Sequence, residues 1–413
     1  MKKYHSKLSN LVIRVGVNVQ PQQPVVINCP VELYDLARVL TKEAYAAGAS
    51  EVFVRHNDEV LTRAKFENCS LETLSNPHQF HAEINNKYSE MGACFISIYS
   101  ENPDNLAGIP QEKLHASQVA TGKQTIPFRN RTMSNDVRWV VISVPTDGWA
   151  KKVFPDLPCE IAKEKLGDMI AKAMYLDCEN PTKKWEQHNQ SQEIMCDFLN
   201  GERFESFHFE NSLGTNFTVG MMPQSIFSGA SEIAKDGVNF VANMPTEEIF
   251  SAPHREKTNG IVYSSKPLSH QGVLIDNFWV KFENGKAVDC FAVCGEEMLK
   301  SIIATDENSA FLGEIAFVEA DSGISNMNQI FYNTLFDENA SCHLAFGKGY
   351  NSCVDNGDNS KEELFAQGLN DSIAHVDFMI GTPDLKVTAK RSDGSEVVIM
   401  QNGNFVKNLE KNK

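Results

Sequence analysis

The sequence contains no uninterrupted apolar run that approaches the ~20 residues needed by a membrane-spanning helix. Residues 1–16 include early lysines but no continuous apolar stretch of the signal-peptide kind, so we expect a soluble protein that is not exported. Neither G-x-G-x-x-G nor G-x-x-x-x-G-K-[ST] follows a strand-like segment, which counts against a nucleotide site. Repeats and low-complexity tracts are lacking as well.

Basic residues are fewer than acidic residues in this sequence. The 38 lysines and arginines face 54 aspartates and glutamates, and the formal net charge is −16. Binding of nucleic-acid phosphates calls for a basic surface, so we expect no nucleic-acid partner. A cationic ligand, such as the free amino end of a peptide, is compatible with this charge.

Cysteine is spread thinly, with ten residues in a chain of 413. This spacing does not indicate a small secreted disulfide framework, and reduced thiols in a cytoplasm fit it best. Cys290 and Cys294 form a C-x3-C pair with no second pair nearby, which argues against a zinc knuckle.

The first half of the chain alternates strand and helix patterns. A length of 413 residues predicts two domains. Strand-like or helical apolar spacing is found in turn at residues 24–29, 31–48, 51–56, 93–100, 111–124 and 137–145. This order predicts an α/β N-terminal domain with a parallel-type sheet over residues 1–180. Residues 160–200 predict two charged helices, and the second forms a helical linker over residues 181–200.

After Gly201 the pattern changes to short strands separated by turn residues. The sequence E-N-G-K at 283–286 predicts a β-hairpin, and residues 295–304 predict a helix. We therefore expect a β-rich α+β C-terminal domain over residues 201–413.

The run H-V-D-F-M-I-G at 375–381 has the pattern of a buried strand. Because side chains alternate along a strand, His375 and Asp377 share one face, and Val376 and Phe378 take the other. A hydrogen-bonded structural pair and a pair of metal ligands both fit this arrangement.

Three further stretches place acidic or imidazole groups among apolar residues. Glu247 and Glu248 are adjacent, and such a pair suits a solvated turn or a helix start as well as a metal site. Glu314 lies in the apolar run F-L-G-E-I-A-F-V, and Glu338 and His343 are five residues apart around N-A-S-C. Four carboxylates in one apolar site would repel one another, and two divalent cations remove that difficulty. Mixed oxygen and imidazole ligands suit zinc, cobalt or manganese.

These stretches resemble the thermophilic-type metallo-aminopeptidases, the family of aminopeptidase T and aminopeptidase S, with the streptococcal and staphylococcal members nearest in pattern. The resemblance runs nearly end to end. It is carried by G-V-N-V-Q-P (16–21), W-A-K-K-V-F-P (149–155), N-M-P-T-E-E (243–248), S-S-K-P-L (264–268), L-G-E (312–314), N-T-L-F-D-E-N-A-S-C-H-L-A-F-G (333–347), H-V-D-F-M-I-G (375–381) and D-G-S-E-V (393–397). Gln22 departs from the family at a turn position where relatives often have glycine.

The resemblance implies a metal-dependent aminopeptidase of broad specificity. It would remove the N-terminal residue of short peptides with a metal-activated water at a dinuclear site, and it would act as a homodimer. The cofactors implied are two divalent ions of zinc, cobalt, manganese or magnesium. The implied ligands are Glu248, Glu314, Glu338, His343, His375 and Asp377, with Glu314 as the bridge. All six lie within residues 201–413, which the resemblance therefore makes the metal-binding catalytic domain.

Two further residues receive roles. The family's active-site tyrosine falls on Tyr350, whose phenol would donate a hydrogen bond to the oxyanion that develops on the scissile carbonyl. Glu247 is the candidate general base; gripping the substrate ammonium group and orienting a ligand are alternatives for it.

Two other classes of function compete with this one. The first is another dinuclear hydrolase that acts on phosphoesters or on a different amide, against which the lack of a basic, glycine-rich phosphate cradle counts. The second is a non-catalytic peptide-binding protein, against which the presence of every expected ligand counts.

Overall fold

The computed structural model describes residues 1–229, 231–270, 273–355 and 359–407. The chain divides into two compact units. Unit 1 contains Met1–Trp185 and Ser231–Pro245, and unit 2 contains Glu186–Ala230 and Thr246–Lys413. Within the described residues, no helix is both long enough and apolar enough to cross a lipid bilayer.

The helices and strands are numbered in chain order. The helices are α1 (His5–Leu11), α2 (Tyr34–Ala46), α3 (Glu59–Asn68), α4 (Leu71–Ser75), α5 (Phe80–Glu90), α6 (Gln111–Gln124), α7 (Ile126–Met133), α8 (Asp147–Val153), α9 (Cys159–Ala173), α10 (Pro181–Glu202), α11 (Glu296–Ile303), α12 (Thr334–Asp337) and α13 (Lys361–Gln367). The strands are β1 (Pro24–Pro30), β2 (Glu51–Asn57), β3 (Cys94–Ile98), β4 (Trp139–Ile142), β5 (Ser206–Glu210), β6 (Asn216–Met221), β7 (Ser228–Gly229), β8 (Glu232–Ile233), β9 (Asn239–Phe240), β10 (Asn243–Met244), β11 (Ile249–Ser251), β12 (Pro253–Tyr263), β13 (Leu268–His270), β14 (Val273–Glu283), β15 (Lys286–Cys294), β16 (Leu312–Phe317), β17 (His343–Gly347), β18 (His375–Met379), β19 (Lys386–Lys390), β20 (Glu396–Gln401) and β21 (Asn404–Phe405).

Unit 1 is built on a parallel sheet in the order β10-β4-β3-β1-β2. Strand β1 pairs on both edges, so Val25, Val26 and Ile27 are fully buried and the strand reads as a continuous apolar run. Helix α2 buries Leu36 and Leu40, which lie one turn apart on its apolar stripe. The alternation of strand and helix confirms the predicted α/β domain with a parallel-type sheet.

Unit 2 contains two antiparallel sheets. One has the order β18-β17-β16-β11-β7, and the larger one has the order β13-β14-β12-β6-β5-β19-β20-β21 with β15 beside β14. Aromatic rings join the sheets: Phe207 of β5 lies 5.3 Å from Phe317 of β16, and Phe282 of β14 lies 6.1 Å from Phe346 of β17. The apolar core between the sheets leaves the opposite face of the five-stranded sheet to polar side chains. The predicted β-rich α+β class is confirmed.

Two local predictions agree with the structure. The hairpin between β14 and β15 turns at Asn284 and Gly285, whose φ angles of 48° and 82° are those of a tight hairpin turn. Gln22 has a φ of 64°, a backbone conformation that glycine adopts more readily, as the family pattern at that position suggests.

The domain boundaries predicted from the sequence stay a prediction. The two compact units are divided at other residues. Residues Ser231–Pro245 belong to unit 1, because β10 adds to its sheet with Met244 in parallel register with Ile142. Helix α10 is continuous through Glu202, and the division between the units falls within it, after Trp185.

Candidate metal centre

The five-stranded sheet of unit 2 carries four polar side chains on the face that points away from the apolar core. Period-two alternation separates them from Val376 and Phe378, which belong to the core between the sheets. The four are Glu314 on β16, His343 on β17, and His375 and Asp377 on β18.

Strand register brings these side chains together. Glu314, Ala345 and Asp377 occupy one row across β16, β17 and β18. Facing residues on neighbouring strands have β-carbons about 5 Å apart, so the two carboxylates flank Ala345. The Ala345 side chain between them is a single buried methyl group.

Glu314 faces both imidazoles. Its Oε1 lies 3.3 Å from Nε2 of His343, and its Oε2 lies 3.5 Å from Nε2 of His375. Each oxygen of this one carboxylate therefore belongs to a different cluster of side chains, which is the arrangement of a bridging ligand.

Each imidazole has a second carboxylate beside it. Oε2 of Glu248 is 3.1 Å from Nε2 of His343, and Oδ1 of Asp377 is 3.4 Å from Nε2 of His375. Two groups of possible ligands result, namely Glu248, Glu314 and His343, and Glu314, His375 and Asp377. Within each group the ligand atoms lie within 4.8 Å of one another.

Backbone carbonyls fix the orientation of both rings. Nδ1 of His343 lies 3.1 Å from the carbonyl oxygen of Ser341, and Nδ1 of His375 lies 2.8 Å from that of Lys348. A carbonyl oxygen only accepts hydrogen bonds, so each Nδ1 donates and each Nε2 is directed toward the carboxylates. Ligating histidines in metal proteins are held in the same way.

Glu338 lies in the 3-10 turn Glu338–Ala340 that precedes β17. Among the described residues it is outside both three-residue groups. Burial, followed by the charges of Asp377 and Glu248, raises the pKa of Glu338 well above its ordinary value. The turn therefore places this carboxylate within the electrostatic field of the other ligands.

Tyr350 stands at the edge of the cluster. Its hydroxyl lies 3.5 Å from Nε2 of His375, and its ring meets the imidazole edge-on with centroids 5.0 Å apart. Phe250 packs edge-on against the tyrosine ring at 5.9 Å. Burial, together with the charges of Glu314 and Asp377, raises the pKa of the Tyr350 phenol well above its usual range.

Glu247 is partly exposed and is outside the two groups of possible ligands. Its backbone N–H donates to Oδ1 of Asn339 at 2.6 Å. A β-carbon added at Gly323 would lie 3.4 Å from its Oε1, so the Glu247 side chain extends toward the loop that contains Gly323.

The cluster is strongly negative. Burial alone lowers the pKa of His343, yet the hydrogen bonds that Glu248 and Glu314 accept from its ring raise this pKa well above its ordinary value. Burial likewise opposes the charge of His375, and Asp377 raises the pKa of this imidazole to about 9. Both imidazoles are thus drawn toward the cationic form, because the surrounding carboxylates favour positive charge at this place.

The donor set fits divalent cations. In the described part of the chain, neither lysine nor arginine lies within ion-pair distance of Glu248, Glu314 or Asp377, although all three are largely buried. Buried carboxylates are normally paired or bound to metals. Carboxylate oxygens and directed imidazole nitrogens are ligands that zinc, cobalt and manganese accept.

Comparisons with known proteins agree with this geometry. The sequence profile of the family described as thermophilic metalloprotease (M29) matches residues 1–405. The chain belongs to the M29 family. It is 40% identical to aminopeptidase AmpS of Bacillus subtilis over 98% of this chain and 100% of the relative, and 37% identical to aminopeptidase T of Thermus aquaticus over 97% and 98%. The solved structure of wild-type AmpT from Thermus thermophilus superposes with a TM-score of 0.92 at 34% identity, over 98% of this chain and 99% of that one.

Membership of the M29 family confirms the predicted recognition and fold class. It also confirms the prediction of a metal-dependent aminopeptidase, which is a hydrolase and a metalloprotease that acts on peptides. Use of divalent metal ions is supported by the family and by the two groups of possible ligands.

Sequence reasoning missed the residues whose hydrogen bonds hold the candidate ligands of this M29 centre and their segments in place. Asn339 is fully buried beside Glu338 and bonds to the backbone of Glu247. The carbonyls of Ser341 and Lys348 hold the imidazoles. Every residue has a backbone carbonyl, so the residue types in a sequence do not show which carbonyls will hold a side chain. The one available signal was the position of Asn339 in the run E-N-A-S-C-H between two candidate ligands.

Proposed function

We propose that this chain removes N-terminal residues from peptides at a centre of two divalent ions held by Glu248, Glu314, Glu338, His343, His375 and Asp377. The observation that carries the proposal is the placement of Glu314, whose two oxygens lie 3.3 Å and 3.5 Å from the Nε2 atoms of two different histidines. One position uses Glu248 and His343, the other uses His375 and Asp377, and Glu314 is common to both. Glu338 supplies a further carboxylate from the adjoining turn.

When bound, two such ions supply positive charge that acidifies a water molecule and polarises the scissile carbonyl. Tyr350 holds its phenol hydrogen where the carbonyl oxygen gains negative charge. Its raised pKa keeps that hydrogen in place at neutral pH, and a hydrogen bond formed there is strongest in the transition state.

Glu247 has two chemical roles open to it beside the centre, and orientation of a metal ligand is a third alternative. As a general base it takes a proton from the attacking water, and as a binding residue it pairs with the ammonium group of the substrate. Glu247→Gln separates the roles, because loss of a base lowers kcat and loss of an ammonium partner raises KM.

The substrate we propose is a short peptide with a free amino end, accepted with broad specificity. The net charge of −16 and the negative cluster favour a cationic group over an anionic one. Zinc, cobalt, manganese and magnesium are the candidate ions, since each accepts oxygen ligands, and the two imidazoles favour the first three.

The decisive experiment pairs two peptides that differ only in N-terminal acetylation. We expect hydrolysis of the free-amine peptide, no hydrolysis of its acetylated twin, complete loss of activity with a chelator, and recovery with cobalt, zinc or manganese. Equal cleavage of both peptides would point to a different hydrolase, and turnover that resists chelation would contradict the metal mechanism.

We further propose a homodimer that works in the cytoplasm. The ten cysteines are spread thinly over 413 residues, a usage that suits a reducing compartment. The dimer rests on the family resemblance, and light scattering coupled to gel filtration measures it directly.

A further inference from the structure

The four sheet-borne ligands and the two loop-borne ligands are positioned differently. Glu314, His343, His375 and Asp377 are held by the hydrogen-bond ladders of their strands. Glu248 directly precedes β11, and Glu338 lies in a 3-10 turn, so neither carboxylate has a ladder to fix it. Two like-charged groups brought near one another repel, and something else must hold these two segments in place.

Asn339 joins the two segments with one side-chain amide. Its Oδ1 accepts the backbone N–H of Glu247 at 2.6 Å, and its Nδ2 donates to the carbonyl of Leu335 in α12 at 2.9 Å. Glu247 is the neighbour of Glu248 in sequence, and Asn339 is the neighbour of Glu338. The amide therefore sets how far apart the backbones of two proposed ligands lie.

Both hydrogen bonds of the Asn339 side chain are shielded from water. Asn339 is 0% exposed, so water does not compete for either hydrogen bond. The Glu248 segment is held from its other side as well, since a ring nitrogen of His188 on α10 lies 2.8 Å from the carbonyl oxygen of Thr246. Thr246 and Glu247 are thus each tied to a separate support.

We propose that Asn339 is a positioning residue of the metal centre, which fixes the Glu248 segment relative to the Glu338 segment. The proposal rests on the proposed dinuclear function. Partners that orient metal ligands from behind are typically worth 10- to 100-fold in metal affinity, and we expect a loss of about tenfold when both hydrogen bonds are removed.

Asn339→Leu removes both bonds at nearly constant volume. Titration calorimetry of zinc or cobalt into the metal-free protein should show a dissociation constant about tenfold weaker than that of the unmodified chain. A matched control is Asn200→Leu. The Asn200 side chain also makes two bonds to backbone, accepting from the N–H of Phe227 at 2.7 Å and donating to its carbonyl at 2.9 Å, and Phe227 belongs to the apolar core of unit 2.

A merely structural role lowers the unfolding temperature of both metal-free variants and leaves metal affinity unchanged in both. Weakened metal binding in Asn339→Leu alone supports the proposal, and wild-type affinity in that variant overturns it. Should Asn339→Leu fail to fold, Asn339→Ser carries the same expectation, because its hydroxyl is too short to reach the Glu247 N–H.

Glu314→Gln distinguishes this proposal from the function on which it rests. If Glu314→Gln binds metal like the unmodified chain, the dinuclear centre itself is wrong. If Glu314→Gln loses metal while Asn339→Leu keeps it, the centre stands and the role of Asn339 is overturned.

Discussion

The phenol of Tyr350 lies close to a proposed metal ligand and keeps its proton. It lies 3.5 Å from a proposed ligand, Nε2 of His375, and burial beside carboxylates raises its pKa, so that it stays a hydrogen-bond donor. A group of this kind helps a reaction when the charge it meets exists in the transition state and is absent from the bound substrate.

Tyr350→Phe should therefore lower kcat by about 100-fold, the usual effect of removing one donor to an oxyanion, and change KM little. Steady-state kinetics with an aminoacyl nitroanilide measures both constants, and elemental analysis should find unchanged metal content. Tyr263→Phe is a suitable control, because the Tyr263 ring packs against Gly214. Loss of metal in Tyr350→Phe would show that the phenol serves to hold His375.

At the residue scale, the sequence predicts the strand face on which a side chain lies better than it predicts the groups that this side chain contacts. His375 and Asp377 could be placed on one face because alternation is a local property of any strand. The division of Glu314 between two imidazoles could not be predicted, since it depends on the register of β16 against β17 and of β17 against β18. Glu338 could be assigned only by resemblance, because a turn has no periodicity that aims its side chain.

At the scale of elements, β16 lies close to the end of β17 at Gly313. Their pairing shifts register between Leu312 and Glu314, and a β-carbon on Gly313 would lie 2.3 Å from the carbonyl oxygen of Lys348 and 2.4 Å from that of Gly347. The Lys348 carbonyl is the group that orients His375. The glycine thus lets the strand that carries Glu314 approach the segment that orients His375.

Gly313→Ala should lower the free energy of unfolding by about 1–3 kcal/mol, because the backbone must move to admit the methyl group. Chemical denaturation measures the loss, and weaker metal binding should accompany it. Gly122→Ala in α6 provides the opposite case, since its methyl group meets no atom within 4 Å and should add about 0.5–1 kcal/mol of stability. Equal stabilities of Gly313→Ala and the unmodified chain would contradict the close approach.

Elements with a strong internal pattern were predictable, and pairings between distant segments were not. The α/β alternation of the first half follows from local apolar spacing, and the hairpin at Asn284 and Gly285 follows from the turn residues themselves. The addition of β10 to the sheet of unit 1 depends on contacts between residues 243–244 and 141–142. A two-residue strand leaves no periodicity from which such a pairing could be inferred.

For the whole molecule, the proposed metal centre is a place where burial opposes negative charge. Burial raises the pKa of Glu314, His343 and His375 oppose that rise, and the charges of Asp377 and Glu248 add to it. A ligand that binds the folded state and not the unfolded one stabilises the protein by mass action. Divalent ions supply the positive charge that this cluster lacks, so stability should depend on metal concentration.

Removal of metal should accordingly lower the unfolding temperature. At an ion concentration about 1,000 times the dissociation constant the stabilisation is about 4 kcal/mol, which corresponds to roughly 10 °C for a unit of this size. Scanning calorimetry of the chelated and the zinc- or cobalt-loaded protein measures this shift. Glu314→Gln should unfold at the same temperature with and without the ion, because the shared ligand has become an amide. A full shift in that variant would place the bound ion elsewhere in the molecule, and no shift in the unmodified chain would mean that the folded state gains nothing from the ion.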